Sequence, residues 1–171
     1  MKAGFLLTAG VAGLLTVLAA CEDGSGAGSN SFRKDYTAAR GALEAGQFDK
    51  ANRIYARMLS QAGPLQPRIQ LEYAHSLLRS GAYDAAATQA RALSQSQSGT
   101  DRSAALAVLG TAQHELGLSA LSVGDPGAGR QNLAAAQSSI AEVLKADPDL
   151  DPLGALAGRL ASIKVRLKAL S

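Results

Sequence analysis

Apolar and polar positions divide the chain into three stretches of different character. Ala3 to Ala20 is uncharged and mostly apolar, with Lys2 ahead of it. Glu22 to Ser31 reads EDGSGAGSNS and holds no apolar residue beyond Ala. From Phe32 onward apolar residues recur at helical spacing, interrupted by Gly, Pro and polar clusters. The interruptions predict seven helices, over 32–45, 48–61, 66–80, 83–94, 101–123, 126–146 and 152–170. Ser31 or Asn30 is the expected N-cap of the first, and Gly63-Pro64 stops the second. Pro67 falls in the first turn of the third helix, where its missing N–H costs nothing. Asp101 opens the fifth after the polar SQSQSGT stretch, and Asp147-Pro148 ends the sixth. In the last helix Leu153, Leu156, Leu160, Ile163, Leu167 and Leu170 are spaced 3, 4, 3, 4 and 3, which makes one apolar stripe. Arg159, Lys164, Arg166 and Lys168 lie off that stripe, and the cations near the C-terminus complement the helix dipole.

The pattern also repeats. Gly46-Gln47-Phe48-Asp49-Lys50-Ala51, followed by Tyr55, recurs 35 residues later as Gly81-Ala82-Tyr83-Asp84-Ala85-Ala86. A Gly suits the left-handed end of a helix, an aromatic packs back on the pair, and a small Ala lets the next helix approach. A period near 34 with this content marks a solenoid of helical hairpins. These residues resemble the tetratricopeptide repeat (TPR) family, whose turn reads Gly-Asp-Tyr-x-x-Ala. Ala39 with Ala74, and Ala51 with Ala86, match positions that the family keeps small. The larger packing positions hold Tyr55 and Ala90, then Met58 and Leu93. The family's early Trp is replaced by Asp35 and Gln70, and its closing Pro comes one residue late in the first repeat and is missing from the second. In a third unit Leu109-Gly110 fits the Leu-Gly pair of a first helix, while the turn is best matched by Gly124-Asp125-Pro126. That turn lies 43 residues after Gly81, an excess of about two helical turns that keeps the same face inward. The resemblance implies an all-α, right-handed solenoid of about three TPR-like hairpins plus a C-terminal capping helix. The last helix then covers the open end of the stack. Lying on anionic lipid is its alternative use.

Composition agrees with close-packed helices. Of the 171 residues 47% are hydrophobic but only 4% aromatic, so Ala and Leu must fill the core. The net charge of +3 is small and dispersed, with no interleaving of bases and aromatics, so nucleic acid is not an expected partner.

The N-terminal stretch reads as a processing segment ending in Leu18-Ala19-Ala20-Cys21. Those four residues look like a bacterial lipobox, cut just before a Cys that carries a diacylglyceryl thioether. Cys21 is the only Cys in the chain, so an intramolecular disulfide is excluded. The rival reading is an uncleaved membrane anchor with a chance Cys. On the lipobox reading residues 1–20 are a signal peptide, 21–31 a lipidated Cys with a flexible linker, and 32–171 the repeat domain. Several acyl chains anchor stably where one would not, and a ten-residue Gly/Ser tether spans about 17–19 Å. Glu22 rather than Asp follows the Cys, which favours the outer membrane over inner-membrane retention. The Gly24–Gly28 run has no preceding strand and no Gly-Lys-Ser/Thr after it, so it reads as linker and not as a phosphate loop.

Candidate chemistry is sparse. His75 and His114 lie on different predicted helices with no metal-ligating partner at i+3 or i+4. Asp147, Asp149 and Asp151 alternate, but Pro152 and Gly158 stand where a calcium loop needs Gly and Glu. The expected reading there is a helix stop and an N-cap, with Pro152 first in the helix. No Gly-x-Ser-x-Gly elbow occurs. Neither catalysis nor a cofactor nor a metal is expected.

Carried over from the TPR family, the groove-lining positions are Arg33, Tyr36, Arg40 and Leu43, then Arg68, Leu71, His75 and Leu78. The third unit contributes Ala104, Ala107, Thr111 and His114. Three Arg with Tyr and Leu suit an acidic, partly apolar peptide; solvated helix faces are the plainer reading. The Lys and Asn of the family's chaperone-binding clamp are absent from these places. The resemblance implies a membrane-tethered scaffold facing the periplasm, holding a protein partner in envelope, pilus or secretion-system assembly. A small periplasmic enzyme of cell-wall or peptide metabolism and a purely structural lipoprotein are the rival readings.

Overall fold

The computed structural model describes residues 26–170. The expected signal peptide and Cys21 lie outside the described residues. Among the described residues seven α-helices follow one another: α1 (Gly26–Glu44), α2 (Phe48–Leu59), α3 (Gln66–Arg79), α4 (Tyr83–Ser96), α5 (Gly99–Ser122), α6 (Pro126–Ala146) and α7 (Ala155–Ala169). Short 3-10 turns cover Gly63–Leu65 and Pro148–Leu150, and no strand occurs among the described residues. The described residues are all-α, and each helix packs on the next in sequence, with α3 also touching α5.

Both ends of α6 fall where its Pro and Asp-Pro signals put them, and α2 to α5 end within two residues of expectation. Two termini differ. Helix α1 begins at Gly26, ahead of the expected Phe32, so Asn30 and Ser31 lie inside it and do not cap it. Extending a helix adds a hydrogen bond for each residue fixed, which is cheaper than starting one, so polar residues can join a packed helix. Arg33 Nη2 donates to Asn30 Oδ1 at 2.9 Å across this turn. Helix α7 begins at Ala155, after the expected Pro152, because Gly154 stands in the left-handed region at φ 71° and breaks the chain direction. The Asp151 carboxylate caps it from behind, accepting from the Leu156 and Ala157 N–H groups at 2.9 Å each. The Leu156 bond chiefly, with help from the Ala157 bond, holds Asp151 below its ordinary carboxylate value, against burial, whose opposing effect exceeds that of the Ala157 bond.

Three turns share one construction. Gly46, Gly81 and Gly124 have φ of 71°, 78° and 80°. At each, the residue after Gly donates to the carbonyl five back: Gln47 to Ala42 at 2.8 Å, Ala82 to Leu77 at 3.0 Å, Asp125 to Ala120 at 2.9 Å. Each Gly donates to the carbonyl three back, at 3.1, 3.2 and 3.1 Å. These paired bonds satisfy the last carbonyls of α1, α3 and α5 alike.

Counting from each glycine gives equivalent buried positions. Five residues on stand Ala51, Ala86 and Gly129; nine on, Tyr55, Ala90 and Leu133; twelve on, Met58, Leu93 and Ala136. Seven residues before stand Ala39, Ala74 and Gly117. This register assigns the small position of the third unit to Gly117, where the sequence suggested Gly110. The two are seven residues apart, nearly two turns, so both face α6. A Cβ on Gly110 would lie 2.7 Å from Ile140 Cγ1, and one on Gly117 2.8 Å from Leu133 Cγ. On Gly129 it would lie 2.5 Å from Leu121 Cδ2. Only glycine permits this closeness of α5 to α6.

Helix α7 lays its stripe on α6. Ile163 is fully buried with Leu133, Ala136 and Ile140, while Leu156, Leu160, Leu167 and Leu170 pack around them. Leu153 is 94% exposed and leaves the stripe, since it precedes the break at Gly154.

Candidate functional site

A groove of about 410 Å³ opens where α1 and α3 lie side by side. Arg40 and Leu43 line it from α1; Arg68, Leu71, Glu72, His75 and Arg79 line it from α3. The α3 residues stand at i, i+3, i+4, i+7 and i+11 and so share one helical face, which a single helix presents together.

Glu72 ties the two helices. Its carboxylate accepts from Arg40 Nη1 at 2.9 Å and from the Tyr36 hydroxyl at 3.1 Å. Arg40 Nη2 also reaches Glu44 at 3.3 Å. The hydrogen bond that Arg40 donates to Glu72, then the Glu72 charge, pushes Arg40 above its ordinary value, against a smaller effect of burial. Arg40 is 42% exposed, so the pair contributes at most about 1 kcal/mol to stability. Its larger effect is to neutralise Arg40. The Tyr55 hydroxyl below is buried without a hydrogen-bond partner among the described residues, and burial first, then the charge of Glu72, raises its pKa.

Arg68 and Arg79 are held differently. The Arg68 guanidinium lies 5.9 Å from the Tyr36 ring centroid, and that of Arg79 5.5 Å from the Phe48 centroid. Neither pairs with a carboxylate among the described residues. His75 is solvent-exposed but surrounded by protein mass in the groove, which lowers its pKa from 6.5; Glu72 opposes that and Arg40 adds to it. With His75 neutral, the three arginines of the groove stand against Glu72 and the Glu44 carboxylate paired with Arg40, which leaves a surplus of one positive charge.

A second recess of about 330 Å³ continues from the first, sharing Arg68 and Leu71. Pro64, Leu65, Pro67 and Leu93 give it apolar walls, and Gln97 and Asp101 add polar groups.

Of the groove positions expected from the sequence, Arg40, Leu43, Arg68, Leu71 and His75 meet in one groove. Tyr36 lies under Arg68 and donates to Glu72. Leu78 packs against the core cluster of α3 to α6. Arg33 lines a separate recess with Asn30, Lys34, Thr37 and Ala38. In the third unit Ala104 and Ala107 are half-buried, and the Thr111 hydroxyl donates to the Ala107 carbonyl at 2.8 Å. His114 is buried under α7. Arg159 Nη1 contacts its Nδ1 and donates to Glu115 at 2.6 Å. Burial first, then Arg159, lowers the His114 pKa, while Glu115 opposes them. A neutral ring accepting at Nδ1 carries its proton on Nε2, which is buried without a partner among the described residues.

Glu72 and Arg79 escaped the sequence reading. Neither belongs to the positions carried over from the family, and an isolated charge on a helix face has no periodic signal. Glu72 is one residue after Leu71, and its role emerges only once α1 lies beside α3.

No group of three or more His, Cys, Asp or Glu among the described residues is placed to hold a metal ion. No described helix is long and apolar enough to cross a membrane. No family model matches the chain, and no significant match is found to a curated protein or to a solved structure.

Proposed function

We propose that the chain is a membrane-tethered interaction scaffold that holds a protein partner in the groove across α1 and α3. In this reading the seven helices are three TPR-like hairpins of a right-handed α-solenoid, with α7 as the cap. The hand of the superhelix comes from the resemblance. Support for the repeat comes from the shared glycine turns at Gly46, Gly81 and Gly124 and from their equal offsets to buried small positions. The first helices of successive hairpins are also linked in series: α1 to α3 through Glu72, α3 to α5 by direct packing, α5 to α7 through Arg159. Cys21 is the proposed lipid anchor, with the domain in the envelope on the periplasmic side of the outer membrane. Pilus, secretion or outer-membrane assembly is the proposed setting.

The observation that carries this reading is the groove itself, where Arg68 and Arg79 stand without carboxylate partners among the described residues and Arg68 adjoins the exposed Leu65. Solvated helix faces would not need such a recess. The test is co-isolation from native membranes of the full chain, wild type against Arg68→Glu/Leu65→Asp. The reading expects the principal partner to be lost while circular dichroism and membrane attachment are unchanged. Equal recovery of the same partners from both proteins would refute it.

A further inference from the structure

The groove's two recesses differ in chemistry, and Arg68 stands at their junction. Arg40 is neutralised on the spot by Glu72 and Glu44. Arg68 is exposed, and its N–H donors make no hydrogen bond to another described residue; its contact is with the Tyr36 ring. Arg79, at the other end of the first recess, is likewise held against Phe48. The second recess offers Pro64, Leu65, Leu71 and Leu93, with Leu65 48% exposed. Exposed apolar surface beside an unneutralised guanidinium is where a bound carboxylate gains most, because the ligand's own apolar group excludes water from the ion pair. Asp101 also lines the second recess and forms no ion pair with Arg68 or any other cation among the described residues.

We propose that the groove's ligand is a peptide segment with an acidic residue next to an apolar one, the acid over Arg68 and the apolar side chain in the Pro64–Leu65–Leu93 recess. The inference rests on the reading of the groove as a partner site and gives that partner its chemistry. It also gives a register. The carboxylate belongs at Arg68 and not at Arg40, whose donors already face Glu72 and Glu44. A second acid placed in the recess beside the apolar side chain shares it with Asp101 and is disfavoured by like charge. Each recess falls within the range of about 300–1,000 Å³ usual for ligand sites, room for side chains rather than for a folded element.

The test uses the full chain, purified in detergent and immobilised, to select from a phage library of random peptides. Selected peptides should pair Asp or Glu with Leu, Ile, Met or Phe. Fluorescence anisotropy then measures one such peptide, and its Asp→Asn or Glu→Gln version, against wild type, Arg68→Gln and Leu65→Asp. Arg68→Gln and the amide peptide should each weaken binding about tenfold, as loss of a charged hydrogen bond does. Together they should weaken it scarcely more, since both remove one interaction. Leu65→Asp should weaken it at least as much. Peptides without acids that depend on Leu65 but not on Arg68 would overturn the inference and leave the groove reading intact. Acidic peptides indifferent to Leu65→Asp, or additive losses from Arg68→Gln and the amide, would overturn the pairing in the same way. If no peptide is enriched, or binding ignores both variants, the groove reading itself fails and the inference with it.

Discussion

The aromatic residues of the described chain, Phe32, Tyr36, Phe48, Tyr55, Tyr73 and Tyr83, all lie in α1 to α4, while α5 to α7 have none. The second region has instead Gly110, Gly117 and Gly129 at the contact of α5 with α6. The same turn construction at Gly46, Gly81 and Gly124 thus serves two kinds of packing. Rings hold α1 to α4 together and, at Tyr36 and Phe48, carry arginines on their faces. Glycines let two long helices meet almost backbone to backbone, with Leu121, Leu133 and Ile140 filling the remaining space. Bulky, half-exposed rings leave recesses with polar rims; small residues close the gap between helices. One region is therefore suited to recognition and the other to support, although both repeat one plan.

The sharpest way to break this comparison is to give the glycine contact a side chain. Gly129→Leu forces atoms into Leu121 and should cost about 3 kcal/mol or more. The thermal midpoint of the full chain should fall by roughly 6–12 °C. A midpoint within a degree or two of wild type would mean that α5 and α6 are not held this closely. Next in size are Ala51→Leu and Ala86→Leu, at the equivalent place in the first two hairpins, where both alanines are fully buried. Each should cost about 1–3 kcal/mol in a urea melt, less than Gly129→Leu because an alanine contact is already one carbon wider. Equal costs at all three positions would erase the distinction between the regions.

The smallest effect concerns pH and α7. His114 has its pKa lowered in the folded chain, so between that value and its ordinary 6.5 the unfolded chain binds more protons. Stability therefore rises with pH through this interval and is lost on acidification. His75 acts in the same sense through its own lowered pKa. Urea melts from about pH 7.5 to about pH 5 should show the loss in wild type and a smaller loss in His114→Gln, which keeps an acceptor for Arg159 without titrating. Identical pH profiles for the two proteins would exclude a neutral, buried His114 as the link between α5 and α7.

Much of the helical order was legible because its signals are local. Gly46, Gly81 and Gly124 mark turns by a backbone requirement, and Pro126 and Asp147-Pro148 bound α6 by the lost N–H and fixed φ of proline. Gly117 and Gly129 were harder, because a glycine inside a helix reads first as a weak helix former. Their signal was present all the same, as the offsets of seven before and five after Gly124 that match the first two hairpins. The break at Gly154 was obscured by Leu153, whose spacing fits the α7 stripe although it lies outside the helix. In the groove, the positions carried over from the family brought five residues to one place. Charge was the part that spacing could not supply. Arg33, Arg40 and Arg68 count alike in a sequence, yet Glu72 neutralises one, Arg33 faces another recess and Arg68 stays uncompensated.

The division between a recognising region and a supporting one is tested most directly by site-specific photo-crosslinking in the native cells. A benzophenone amino acid at Leu65 or Arg79, on the groove, is compared with one at Gln131 or Ala141, exposed on α6. The account predicts one discrete crosslinked partner from the groove positions, diminished by Arg68→Glu, and none from α6. The same partner captured from Gln131 or Ala141, with nothing from Leu65 or Arg79, would contradict it.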